Sequence, residues 1–96
     1  MTSKHELIAK INIFFVDKPI SKAYLFGSYA RNEQTQESDV DILVDFEKQA
    51  NLFDLIGLQQ NLSELLKLKV DLLSSKGVSK FMLPYIEKDK VLIYER

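Results

Sequence analysis

Two aspartates two residues apart, Asp39 and Asp41, open an alternating apolar run (DVDILVDF), so both side chains would leave the same face of an extended strand. A third, Asp71, occupies the matching place in a later run (KVDLLS). Clustered carboxylates repel one another and raise each other's pKa until a cation neutralises them. Magnesium does this while bound by a few carboxylates, substrate phosphates and water. Ahead of the pair stands Gly27-Ser28. A glycine lets backbone amides approach a ligand closely, and a serine opening a helix would offer its amide, its hydroxyl and the helix N-terminus to a phosphate. These parts suit a two-metal, in-line attack at phosphorus. The competing readings are exposed acids on a sheet edge and an ordinary strand-to-helix turn with Ser28 as its cap.

The rest of the composition removes other chemistries. There is no cysteine, and His5 is the only histidine, so thiol nucleophiles, zinc ribbons and a Ser–His–Asp triad are set aside. Thirteen bases and fourteen acids leave a net charge of −1, which hides an uneven distribution. Residues 32–47 hold six acids (Glu33, Glu37, Asp39, Asp41, Asp45, Glu47) and no base. A local acidic segment in an otherwise mildly basic chain fits a metal-assisted site for an anionic substrate, or else a solvated acidic loop. Asp45 is read as solvated and His5 as an exposed helix residue.

The elements that must position these residues follow from periodicity. Leu7, Ile8, Ile11, Phe14 and Phe15 predict a helix over about 3–17, capped by Thr2 or Ser3 with Glu6 completing a capping box, and ended by Pro19. A strand is expected at 22–27, a short helix or turn at 28–34 and a second strand at 39–46. A long helix is expected at 52–67, weakened by Gly57. A third strand at 69–74, a short helical piece near 78–87 interrupted by Pro84, and a last strand at 90–94 complete the order. The link between Gly27 and Asp39 is too short for a parallel crossover, which predicts antiparallel first and second strands. The link over 47–68 has the size of a parallel crossover. Gly27, Asp39, Asp41 and Asp71 then converge on one sheet edge. Tyr24, Phe26, Phe46 and Tyr94 read as core residues, with a place flanking a base as the competing reading. Leu52, Phe53, Leu58, Phe81 and Met82 exceed what one small core absorbs and suggest an interface. The 96 residues read as one domain, soluble and cytoplasmic, with no membrane segment. Nucleic acid is disfavoured as a partner, because Lys67, Lys69, Lys76 and Lys80 form only a modest patch.

Gly27-Ser28, ten residues, then Asp39-Val40-Asp41 resembles the GS-x10-DxD signature of the nucleotidyltransferase superfamily that includes DNA polymerase β. The fuller pattern GSYARNE…SDVDILVDF, followed by KVDLL, resembles the minimal nucleotidyltransferase (MNT) proteins of bacteria and archaea. The resemblance implies an α/β (α+β) fold, a polymerase β-like core with helices on a mixed sheet, two Mg2+ ions and ATP as substrate. It also implies that Asp39 and Asp41 ligate the metals, and that Asp71 completes one metal site and orients or activates the acceptor hydroxyl. Gly27 and Ser28 would hold the triphosphate. Arg31, one helical turn beyond Ser28, would reach a phosphate; a surface ion pair with Glu33 or Glu37 is the competing reading. This chain has Arg31-Asn32 where many relatives read Arg-Gly. MNT proteins pair with HEPN-domain ribonuclease toxins, so the resemblance implies a hetero-oligomer in which an antitoxin transfers AMP to a toxin tyrosine. The alternatives are an antitoxin that neutralises by binding alone and a transferase for a small molecule such as an antibiotic. The second normally uses a further substrate-holding domain.

Overall fold

A computed structural model describes residues 3–96, which leaves Thr2, one of the two expected caps, outside the described residues. Helix α1 (Lys4–Phe15) starts at Ser3, whose Oγ accepts from the Glu6 amide at 3.1 Å. It ends before the expected residue 17, well ahead of Pro19. Strands β1 (Ile20–Phe26) and β2 (Val40–Phe46) pair antiparallel, as the short link requires. Helix α2 (Leu52–Leu66) then crosses over to β3 (Val70–Ser74), which runs parallel to β2. Helix α3 (Leu83–Asp89) leads to β4 (Val91–Glu95), antiparallel to β1, and the sheet order is β3-β2-β1-β4. The mixed sheet with helices packed on it is the expected fold class.

Alternation in β2 sorts its residues between two faces. Val40, Ile42 and Val44 point to the face covered by α1 and α2, where they pack with Leu7, Ile11, Phe15, Leu62 and Leu66. Leu43 points the other way, into a smaller cluster with Phe26 and with Ile86 of α3. Asp41 shares that second face, by strand period. The carboxylate site therefore lies on the thinly covered side of the sheet, next to α3.

Of the expectations about helices, the long helix over 52–67 holds and the break at Pro84 is corrected. Gly57 does not interrupt α2, whose start is fixed by a capping box: Asn51 Oδ1 accepts from the Asp54 amide and Asp54 Oδ2 accepts from the Asn51 amide, at 2.9 and 3.1 Å. Pro84 does not break α3 but sits in its first turn, where a missing N–H costs nothing. Helix α2 also contributes beyond its apolar face. Gln59 Oε1 accepts from the Leu72 amide at 2.9 Å and Ser63 Oγ from the Val70 amide at 3.2 Å. The outward N–H groups of the edge strand β3 are thereby satisfied and shielded from stray pairing. Among the described residues, no helix is long and apolar enough to cross a membrane.

Candidate active site

Register assembles the site. Phe26 of β1 pairs with Asp41 of β2, and Asp41 pairs with Asp71 of β3, so one row across three strands carries both carboxylates and ends on the residue before Gly27. Gly27 has φ +75°, and a Cβ there would stand 2.2 Å from Asp41 Oδ2. Only glycine fits: the backbone takes a left-handed turn directly against a carboxylate oxygen.

The chain then makes a single turn, not the helix expected to open at Ser28. The Arg31 amide donates to the Gly27 carbonyl at 3.1 Å and the Glu33 amide to the Ser28 carbonyl at 2.9 Å. Asn32 adopts φ 60°, which ends the turn. Asparagine is among the few non-glycine residues that take this conformation readily. Tyr29, only 2% exposed, roots the turn in the main core. Lys4 Nζ of α1 donates to the Ala30 carbonyl at 3.3 Å and to Asn32 Oδ1 at 3.1 Å. Ser28 thus offers a turn amide and a hydroxyl, without a helix N-terminus behind them.

Electrostatics mark Asp41 as the focus. Its carboxyl is pushed up to about 6, mainly by burial, then by the negative charges of Asp71 and Asp39 and by a shared hydrogen bond with Asp71, while Arg31 opposes the shift. Asp39 lies one residue outside β2. The Val40 amide beside it donates to the Lys69 carbonyl at 2.9 Å, and Asp39 Oδ2 lies 3.7 Å from Lys69 Nζ. Arg31 is held on two sides: Nε donates to Glu33 at 2.7 Å and Nη1 to Asp89 of α3 at 2.6 Å. These two partners, Glu33 foremost, raise its pKa further. The structure thus holds Arg31 in the surface pair with Glu33 that the competing reading expects, and its charge still acts on Asp41.

Among the described residues, no three acidic side chains are gathered tightly enough to hold a metal ion as they stand. The donor set nevertheless suits a hard divalent cation in kind. All three candidates offer carboxylate oxygen, Asp41 and Asp71 are already in contact, and their mutual repulsion is what such a cation relieves. Asp39 would have to exchange its solvent-exposed lysine partner for the ion. Lys69 and Asp89 are the residues that sequence reasoning missed. Lys69 stands two positions before Asp71, a signal of sorts, whereas nothing in the sequence links Asp89 to Arg31 across 58 positions.

A groove of about 450 Å³ lined by Pro19, Phe46, Phe53 and Leu58 lies at the opposite end of β1 and β2, away from the carboxylates. Of the apolar residues suspected of forming an interface, Phe53 and Phe81 are 81% and 88% exposed and Leu52 and Met82 are also exposed, whereas Leu58 packs against the main core. Tyr24, Phe26, Phe46 and Tyr94 are buried or half-buried against the two clusters, as expected of core residues.

Known proteins share this arrangement. Residues 9–96 match the family model described as polymerase beta, nucleotidyltransferase. The Methanocaldococcus jannaschii protein MJ0126, provisionally named a protein adenylyltransferase, is 47% identical over 72 residues, covering 73% of this chain and 70% of its own. A toxin–antitoxin crystal structure with AMP-PNP superposes with a TM-score of 0.83 at 25% identity, covering 93% of this chain and 73% of the other. A structure of a tri-AMPylated Shewanella oneidensis HEPN toxin in complex with its MNT antitoxin shares the fold, with a TM-score of 0.79 at 22% identity over 98% of this chain and 74% of that one. With Gly27 turned against Asp41, Asp71 beside it and a family match spanning nearly the whole described chain, this protein belongs to the polymerase β nucleotidyltransferase family.

Proposed function

We propose that this chain is a protein adenylyltransferase that moves AMP from ATP to a hydroxyl, in particular a tyrosine of a HEPN-domain toxin, and so acts as the antitoxin of a cytoplasmic pair. The observation that carries the proposal is the row in which Asp41 pairs in register with Asp71 and packs against a glycine that can carry no side chain. The named activity of the M. jannaschii relative and the nucleotide analogue in the toxin–antitoxin structure supply the substrate class.

In this reading Asp39, Asp41 and Asp71 hold two Mg2+ ions. When bound, these ions supply charge neutralisation at the α-phosphate and lower the pKa of the attacking hydroxyl. Gly27 gives the triphosphate room to lie against the turn, and the Ser28 amide and hydroxyl donate to it. Arg31 contributes a charged donor to a phosphate oxygen. Asp71 orients the acceptor hydroxyl and takes its proton. The acceptor oxygen forms a bond to the α-phosphorus, the α–β phosphoanhydride bond breaks, and pyrophosphate leaves.

Labelling with ATP radioactive at the α-phosphate tests this directly. Wild type should label the co-purified toxin, and the Asp39→Asn, Asp41→Asn double variant should not. Labelling that survives the double variant contradicts the proposal. The exposed Phe53 and Phe81 favour a second reading, neutralisation by occlusion alone. A double variant that still rescues cells from the toxin without labelling it would select that reading.

A further inference from the structure

Arg31 belongs to the exposed turn that follows β1, yet one of its two partners is neither local nor freely solvated. Asp89 closes α3, and its side chain is only 14% exposed. Helix α3 is itself anchored: Ile86, one turn before Asp89, is buried against Phe26, which ends the carboxylate row, and Leu43, two residues beyond Asp41 on the same face. Lys90, the next residue, donates its amide to the Ile86 carbonyl at 2.8 Å and lays its ammonium over the Tyr24 ring at 4.6 Å. Asp89 is therefore mounted on the same packed cluster that supports Asp41.

The guanidinium is gripped at Nε by Glu33 and at Nη1 by Asp89, and its Nη2 makes no hydrogen bond to any of the described residues. An arginine side chain carries a large rotamer entropy, and two grips remove it before any ligand arrives. The planar fork then presents one edge for a phosphate. We infer that Asp89 is a positioning residue that aims the free Nη2 edge of Arg31 at a phosphate of the bound nucleotide, an inference that rests on the nucleotidyl-transfer reading above.

The sign of the effect distinguishes aiming from mere charge balance. Asp89→Asn removes a negative charge next to Arg31, so charge alone would tighten phosphate binding. Loss of aim would weaken it. The experiment measures KM for ATP and kcat with the toxin as acceptor, and separately the Kd of AMP-PNP by calorimetry, for wild type, Asp89→Asn and Asp89→Glu. Asp89→Asn should raise both KM and Kd by about three- to tenfold with kcat within about twofold, the size expected for one partly exposed charge-assisted contact. Asp89→Glu should restore most of the affinity. A KM and Kd unchanged or lowered in Asp89→Asn overturns the inference, as does a fall in kcat alone, which would mean only that α3 is loosened. A wild type that binds AMP-PNP but transfers nothing refutes adenylyl transfer and leaves the Kd comparison decisive for Asp89. A wild type that does not bind AMP-PNP overturns both.

Discussion

Asp41 sits where its charge is least stable: half-buried, touching Asp71 and close to Asp39. A carboxyl raised to about 6 favours folding when protonated, so its contribution is fully present below about pH 4 and is lost as pH rises through about 6. After discounting for solvent screening, the metal-free protein should lose roughly 1–2 kcal/mol over that window from this group. Asp41→Asn should therefore be more stable than wild type at pH 8 without metal, and no more stable at pH 4. Chemical denaturation at the two pH values checks this, and added Mg2+ should stabilise wild type and not the variant. Gly27→Ala should do the reverse, since its Cβ would displace Asp41 Oδ2 and its backbone would be strained at φ +75°. The expected cost is about 1–3 kcal/mol in stability, with transfer reduced by at least about a hundredfold from misplacement of the carboxylate. Steady-state kinetics and thermal melts measure both. The three aspartates and Gly27 were legible because strand alternation and a short loop dictate which side chains share a face. The Arg31–Asp89 pair was not, because the two meet only through the packing of α3 onto Phe26 and Leu43.

Among the elements, the sheet was the most legible part. Link lengths alone dictated antiparallel β1–β2 and parallel β2–β3, and the register followed. Of the short helix or turn expected at 28–34, the structure has the turn; Ser28 resembles an N-cap, and local propensity does not reveal that Asn32 turns left-handed four residues later. Pro84 was misread as a break for a related reason: proline stops a helix from inside but starts one from its first turn. Gly57 lies inside a helix that tertiary contacts at Leu62 and Leu66 keep intact, and a Cβ there would meet nothing within 4 Å. Gly57→Ala should therefore stabilise the protein by about 1 kcal/mol, read from the denaturation midpoint. Gln59→Leu should act oppositely, because the Leu72 amide loses its acceptor on the outer edge of β3. A loss of about 1–2 kcal/mol is expected in the same assay.

At the scale of the whole molecule, the sheet divides labour. One face carries the core under α1 and α2, and the other carries the carboxylate row beside α3, where a nucleotide and an acceptor can approach. The near-zero net charge conceals this arrangement, in which Glu33 and Asp39 from the acidic segment and Asp89 of α3 pair with Arg31 and Lys69. Family membership was legible because the site uses few residues at fixed spacing. The acceptor was not legible, because the tyrosine proposed for it lies on another protein. The most direct measurement is the intact mass of the proposed partner, a HEPN-domain toxin, co-expressed once with wild type and once with the Asp39→Asn, Asp41→Asn variant. Adenylyl transfer predicts a mass gain of one or more AMP units on the toxin, mapped to a tyrosine, with wild type only. An unmodified toxin in the presence of active, folded wild type, or an equal gain with the double variant, would contradict it.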